Sequence, residues 1–122
     1  MGTIHNQAGN QKEAINAYQR AISANPAHSE AYNNLGNLLG ILGELDEAET
    51  YLRKAIQLNP NLAVAHSNLG NILLDLGKLK EAESSTRLAI ELNPNISIAH
   101  SNLGGILLDL GKLKEAESST RL

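Results

Sequence analysis

Between Ala31 and Leu42 the large apolar residues Leu35, Leu38, Leu39 and Leu42 recur at the interval that gathers side chains on one side of an α-helix. Gly43 follows at once, where a left-handed terminal residue is cheapest for glycine. A second helical pattern runs from about Leu45 to Leu58, with Leu45, Ala48, Leu52, Ala55 and Ile56 on one face. Pro60 ends it, because its ring disfavours helical geometry at Asn59 and it supplies no amide donor. The same two-helix cycle runs through residues 63–92 and begins again at residue 97. The pattern therefore predicts an all-α chain built from helix pairs.

The cycle has a fixed period. Asn25-Pro26, Asn59-Pro60 and Asn93-Pro94 recur every 34 residues, as do Gly2, Gly36, Gly70 and Gly104, and Gly9, Gly43, Gly77 and Gly111. Residues 29–62 and 63–96 are identical at 19 of 34 positions, and residues 65–88 and 99–122 differ only where Asn71 becomes Gly105. The chain divides into a partial repeat at 1–28, whole repeats at 29–62 and 63–96, and a partial repeat at 97–122. By this reading the first unit starts inside its first helix and the last stops inside its second. No polar capping element is evident at either end. The array is therefore expected either to continue or to complete itself by end-to-end association between copies. Glycine inside a helix costs about 1 kcal/mol relative to alanine. Gly36, Gly70 and Gly104 thus predict close approach of a second helix, with Ala48, Ala82 and Ala116 as the small residues that permit it.

A helix–turn–helix of this length with an aromatic residue, Leu-Gly, and later Ala, a bulky residue and Pro resembles the tetratricopeptide repeat. Tyr32, Leu35-Gly36, Ala48, Leu52, Ala55 and Pro60 carry the resemblance, with their equivalents in the following units. It implies a right-handed superhelical solenoid of antiparallel helix pairs. The chain departs from the pattern where His66 and His100 stand for the large aromatic, and where Thr86 and Thr120 stand for the bulky residue of the second helix. Both changes predict slightly looser packing within the same fold.

Composition narrows the chemistry. Hydrophobic residues make up 42% of the 122, enough for a core, but aromatics only 2%, so that core rests on Leu, Ile and Ala. There is no cysteine, which excludes disulfides and thiolate metal sites. No export signal or membrane-length apolar run is present, and the cytoplasm is the default compartment. The glycines follow the repeat and do not cluster into a phosphate-binding loop. His66 and His100 lie one unit apart, on helices about 8–10 Å from each other. Both cannot reach one ion at bond lengths of about 2.0–2.1 Å, so they read as packing residues. Glu81 with Glu83, and Glu115 with Glu117, lie two apart and face different ways. No catalytic set, cofactor site or metal site is expected, and the chain does not read as an enzyme.

The resemblance also implies where a ligand would lie. First helices of tetratricopeptide arrays line a concave surface that binds peptides. The matching positions here are Asn33, Asn34 and Asn37, then Ser67, Asn68, Asn71 and Leu74, then Ser101, Asn102, Gly105 and Leu108. Asn34, Asn68 and Asn102 each directly precede Leu-Gly, similar to the asparagine ladder in the repeat domain of O-linked N-acetylglucosamine transferases, whose amides hold a peptide main chain. An Asn side chain offers both a donor and an acceptor, as a peptide group requires. Every Lys and Arg falls in a predicted second helix or the turn before it, and the net charge is −3. Members that clamp acidic chaperone tails need basic groove residues, and the related pentatricopeptide RNA-binders also need a basic groove. The expected ligand is an extended, non-acidic peptide or protein segment, with neither nucleic acid nor membrane as partner. The alternative is a structural spacer that self-associates end to end as a homo-oligomer.

Overall fold

The structure, a computed structural model, describes the backbone of residues 3–121 and the side chains of residues 9–115. Gly2, and the side chains of His5, Ala116 and Thr120, lie outside the described residues. Six α-helices make up the described chain: α1 (Thr3–Ala24), α2 (Ser29–Ile41), α3 (Leu45–Leu58), α4 (Ala63–Asp75), α5 (Leu79–Leu92) and α6 (Ser97–Arg121). They form two compact units, Met1–Pro60 and Asn61–Leu122.

In the first unit, α2 and α3 pack as a hairpin and α1 packs on α2. The turn at Gly43 is a Schellman motif. Gly43 N–H donates to the Gly40 carbonyl at 3.1 Å, and Glu44 N–H reaches back to Leu39 at 2.9 Å. These bonds satisfy helix-end carbonyls and require a left-handed residue, which Gly43 supplies with φ of 87°. The His28 ring caps α2, its Nδ1 accepting the Ala31 N–H at 3.3 Å. Leu35, Leu39, Ala48, Leu52 and Ala55, at periodic positions the sequence singles out, are buried, as is Ala31, whereas Leu42 at the helix end is 40% exposed. A Cβ on Gly36 would stand 2.7 Å from Leu52 Cγ and 3.1 Å from the Ala48 carbonyl oxygen. The expected close approach is thus present. Tyr32 and Tyr51 meet across the hairpin with ring centroids 6.1 Å apart.

The second unit repeats the hairpin in α4 and α5, with α6 packed on both. Gly77, with φ of 80°, makes the same turn: its N–H donates to Leu74 at 3.0 Å and that of Lys78 to Leu73 at 2.8 Å. The buried residues include Ala65, Leu69, Ile72, Leu73, Ala82, Ala89, Ala99 and Ile106. His66 and Ser85 stand where the first unit has its tyrosine pair. Thr86 replaces Leu52 and is fully buried, its Oγ1 set against the backbone of Gly70 where any Cβ would overlap it.

At both ends of the described chain the helices depart from the expected cycle. α1 runs unbroken through Gly9, and α6 runs for 25 residues through Gly111, where the period predicts turns. No described residue comes within 4 Å of a Cβ on Gly104, and the partner expected there, Ala116, has its side chain outside the described residues. The cause is energetic. Continuing a helix adds one hydrogen bond per residue, and an interior glycine costs only about 1 kcal/mol. A turn competes only when the second helix buries its face. α5 does so, packed against both α4 and α6.

Candidate functional site

The predicted binding positions fall on α2 in the first unit and on α4 and α6 in the second. On α2, Asn34 and Asn37 are exposed, while Asn33 is 5% exposed and its Nδ2 donates to Asn34 Oδ1 at 3.5 Å. Asn33 is thus turned inward and helps to orient its neighbour.

The second unit brings its positions together. α4 and α6 lie side by side, and the Asn102 amide donates from Nδ2 to the Ser67 carbonyl at 3.5 Å. Further along, Leu74 Cδ2 lies 3.9 Å from the place a Cβ would take on Gly105. Ser67, Asn71 and Leu74 recur at i, i+4 and i+7, so one edge of α4 faces α6. Along this seam Asn71, Leu74 and Asn102 are half-buried, and Ser101 and Leu108 are exposed. Asn68 is 9% exposed and Ser67 fully buried, with no hydrogen-bond partner for its Oγ. Asn34, Asn68 and Asn102, equivalent in sequence, thus differ in accessibility. The seam is a strip of amides around an apolar spot formed by Leu74, Gly105 and Leu108. That spot exists because Gly105 replaces the asparagine found at position 71, the one change between two otherwise identical copies.

The cations lie elsewhere. α2, α4 and residues 97–111 of α6 carry no Lys or Arg. Arg53 and Arg87 are engaged on their own helices, each 2.9 Å from a carboxylate one turn back, at Glu49 and Glu83. The histidines have structural settings. His66 is 6% exposed, and an exposed His100 ring holds the Pro94 carbonyl at 2.8 Å through Nε2. Among the described residues no three His, Asp or Glu side chains gather as a metal site, and no helix is long and apolar enough to cross a membrane.

Two consecutive segments, residues 29–62 and 63–96, match the tetratricopeptide repeat model, and residues 2–41 match a second model described as TPR repeat. The chain belongs to the tetratricopeptide repeat family. No match was found among curated protein sequences. Among solved structures, the first tetratricopeptide domain of Spaghetti (RPAP3), bound to the HSP90 peptide SRMEEVD, is 28% identical with a TM-score of 0.80. It covers 90% of this tetratricopeptide chain and 87% of its own. A mutant of the O-GlcNAc transferase of Thermobaculum terrenum is 35% identical with a TM-score of 0.75, over 84% of this chain but 20% of its own. YrrB, described as having an unusual peptide-binding site, is 29% identical with a TM-score of 0.73, over 82% and 52%.

One feature of this tetratricopeptide chain lay beyond the sequence reading: the α5-facing side of α6, with His100, Leu103 and Leu107. Its residues duplicate the buried His66, Leu69 and Leu73, so nothing in their identity marks them as exposed.

Proposed function

We propose that this tetratricopeptide chain is a non-catalytic protein-interaction scaffold that holds an extended, non-acidic peptide segment on its first-helix faces. The observation that carries the reading is the α4–α6 seam: amides of Asn71 and Asn102 flank an apolar spot, and neither α4 nor residues 97–111 of α6 carry a Lys or Arg. Adjacent helices about 8–10 Å apart correspond to roughly three residues of extended chain at about 3.3 Å each. One amide per helix can therefore grip every third peptide group without reading its side chain. The Leu74–Gly105–Leu108 spot takes a small apolar side chain between the grips. Asn34 and Asn37 offer the same chemistry on α2.

Peptide binding by structural relatives supports the general role. The ligand differs in charge, because SRMEEVD brings carboxylates that this seam has no Lys or Arg to meet. The same lack, with a net charge of −3, gives nucleic acid no counter-charge. Each hydrogen bond contributes about 1 kcal/mol net, and ordering the peptide offsets part of that. Affinity of micromolar order follows.

The test starts from peptides selected on the chain from a random display library. Selected sequences should be neutral or basic, and SRMEEVD should bind no better than SRMQQVN, its counterpart without acidic side chains, by fluorescence polarisation. Asn71→Ala with Asn102→Ala, the two amides of the seam, should weaken a selected peptide at least tenfold while the helical circular dichroism is kept. Undiminished binding, or selection of acidic peptides, would reject the reading.

A further inference from the structure

The α4–α6 seam is built from two helices that carry almost no charge. Histidines aside, α4 has one charged side chain, Asp75, and residues 97–111 of α6 have one, Asp109. Both are carboxylates, both are exposed, and they hold equivalent positions on helices that lie side by side. Each directly follows a leucine of the apolar spot, Asp75 after Leu74 and Asp109 after Leu108. Each also stands four residues beyond a seam position, Asn71 and Gly105 respectively, and so on the same face of its helix. Four residues advance about 6 Å along a helix. The two acids therefore border the seam at the end where its apolar spot lies.

Neither the repeat nor local stability asks for an acid at these places. The first unit has Ile41 at the equivalent position, 68% exposed. Asp75 is the last residue of α4, where a carboxylate meets the partial negative charge of unpaired helix-end carbonyls and is disfavoured. Glu49 and Glu83 are held by Arg53 and Arg87. By contrast Lys78 and Lys112, the cations nearest to Asp75 and Asp109 in sequence, form no ion pair with them among the described residues. The same edge of α4 holds a second unmet polar group. Ser67 Oγ is fully buried without a hydrogen-bond partner, beneath the Asn102 amide that reaches the Ser67 carbonyl. Buried hydroxyls are rarely left so, and this one is uncovered when Asn102 turns to grip a peptide.

Resting on the peptide-binding reading of the seam, we infer that the bound segment carries a lysine or arginine beside its small apolar side chain, received by Asp75 and Asp109. The ligand class narrows from non-acidic to basic. An extended peptide advances about 3.3 Å per residue, so a side chain seated on the Leu74–Gly105–Leu108 spot has neighbours within reach of the acids. A long flexible cationic stem spans what remains. The same carboxylates sort partners, because a glutamate or phosphate brought there meets like charge. Being exposed, the contact is screened by salt.

Heptapeptides are selected from one random display library on the unaltered chain and, in parallel, on Asp75→Asn with Asp109→Asn. The first pool should be enriched in Lys and Arg over the starting library, and the second should not. By fluorescence polarisation, a labelled peptide from the first pool should bind at least tenfold tighter than its counterpart with Gln at each Lys and Arg. That advantage should fall below twofold on the Asp→Asn variant, and likewise on the unaltered chain at about 0.5 M salt. Asn matches Asp in size, so the helical circular dichroism should be kept. Asn71→Ala with Asn102→Ala should weaken the basic peptide and its Gln counterpart alike. A first pool without Lys or Arg enrichment, or a preference for the basic peptide that survives Asp75→Asn with Asp109→Asn, would overturn the inference and leave the amide seam standing. Failure to select any peptide, or binding insensitive to Asn71→Ala with Asn102→Ala, would remove the reading beneath it and the inference together.

Discussion

Gly70→Ala places one methyl group where α5 presses closest on α4. The added Cβ would overlap Thr86 Oγ1 and stand 3.4 Å from Thr86 Cβ and from the Ala82 carbonyl oxygen. Thr86 is fully buried and its hydroxyl is attached directly to the carbon that contacts Gly70, so the side chain has little room to swing away. Two effects oppose each other. Alanine in a helix interior is favoured over glycine by about 1 kcal/mol. Overpacking a filled contact costs about 1–3 kcal/mol. The overlap here is with an atom near the backbone, so the steric cost should win, and Gly70→Ala alone should destabilise the chain by about 1 kcal/mol. Thr86→Ala removes the overlapping hydroxyl. In that background the same Gly70→Ala change should stabilise by about 1 kcal/mol, because only the helix preference remains. The coupling in a double-mutant cycle is then about 2 kcal/mol, well above the scatter for independent sites of about 0.3–0.5 kcal/mol. Urea unfolding followed by circular dichroism at one fixed protein concentration measures all four corners. An equal effect of Gly70→Ala in both backgrounds would refute the close approach of Thr86 as the reason for the glycine.

Gly77 and Gly111 are equivalent in sequence but opposite in conformation. Gly77→Ala should destabilise by about 1–2 kcal/mol, the cost of a left-handed Cβ, whereas Gly111→Ala should stabilise by about 1 kcal/mol; parallel urea titrations compare them, and a loss at both would show that α6 turns at Gly111. Thr86→Val replaces a buried hydroxyl without a hydrogen-bond partner by a methyl of similar size. It should stabilise by about 1 kcal/mol and raise the melting temperature by a few degrees, and a lowered melting temperature would mean that the hydroxyl is satisfied.

The helix pairs and their buried faces were legible because they follow from local chemistry. Leu35, Leu39, Leu52, Leu69 and Leu73 are buried at the spacing that marks them, and Gly43 and Gly77 make the turns that only glycine makes cheaply. The Gly36 and Gly70 contacts were also legible, since a helix keeps such a residue when something must come close. The binding face was legible only as a set of positions. Sequence equivalence treats Asn34, Asn68 and Asn102 alike, but burial separates them, because each amide's surroundings are set by neighbouring helices and not by the residues beside it in the chain.

Residues 65–88 and 99–122 set the limit of such reasoning. They differ at one position, yet the first is a hairpin and the second, over its described residues, a single helix. By itself the sequence determined the repeat, the helical faces and the residues able to turn. Whether a given glycine turns was decided by tertiary structure. A turn and a continued helix differ by only about 1 kcal/mol locally, and burial of α5 between α4 and α6 outweighs that difference at Gly77. Among the described residues no comparable burial is present at Gly111.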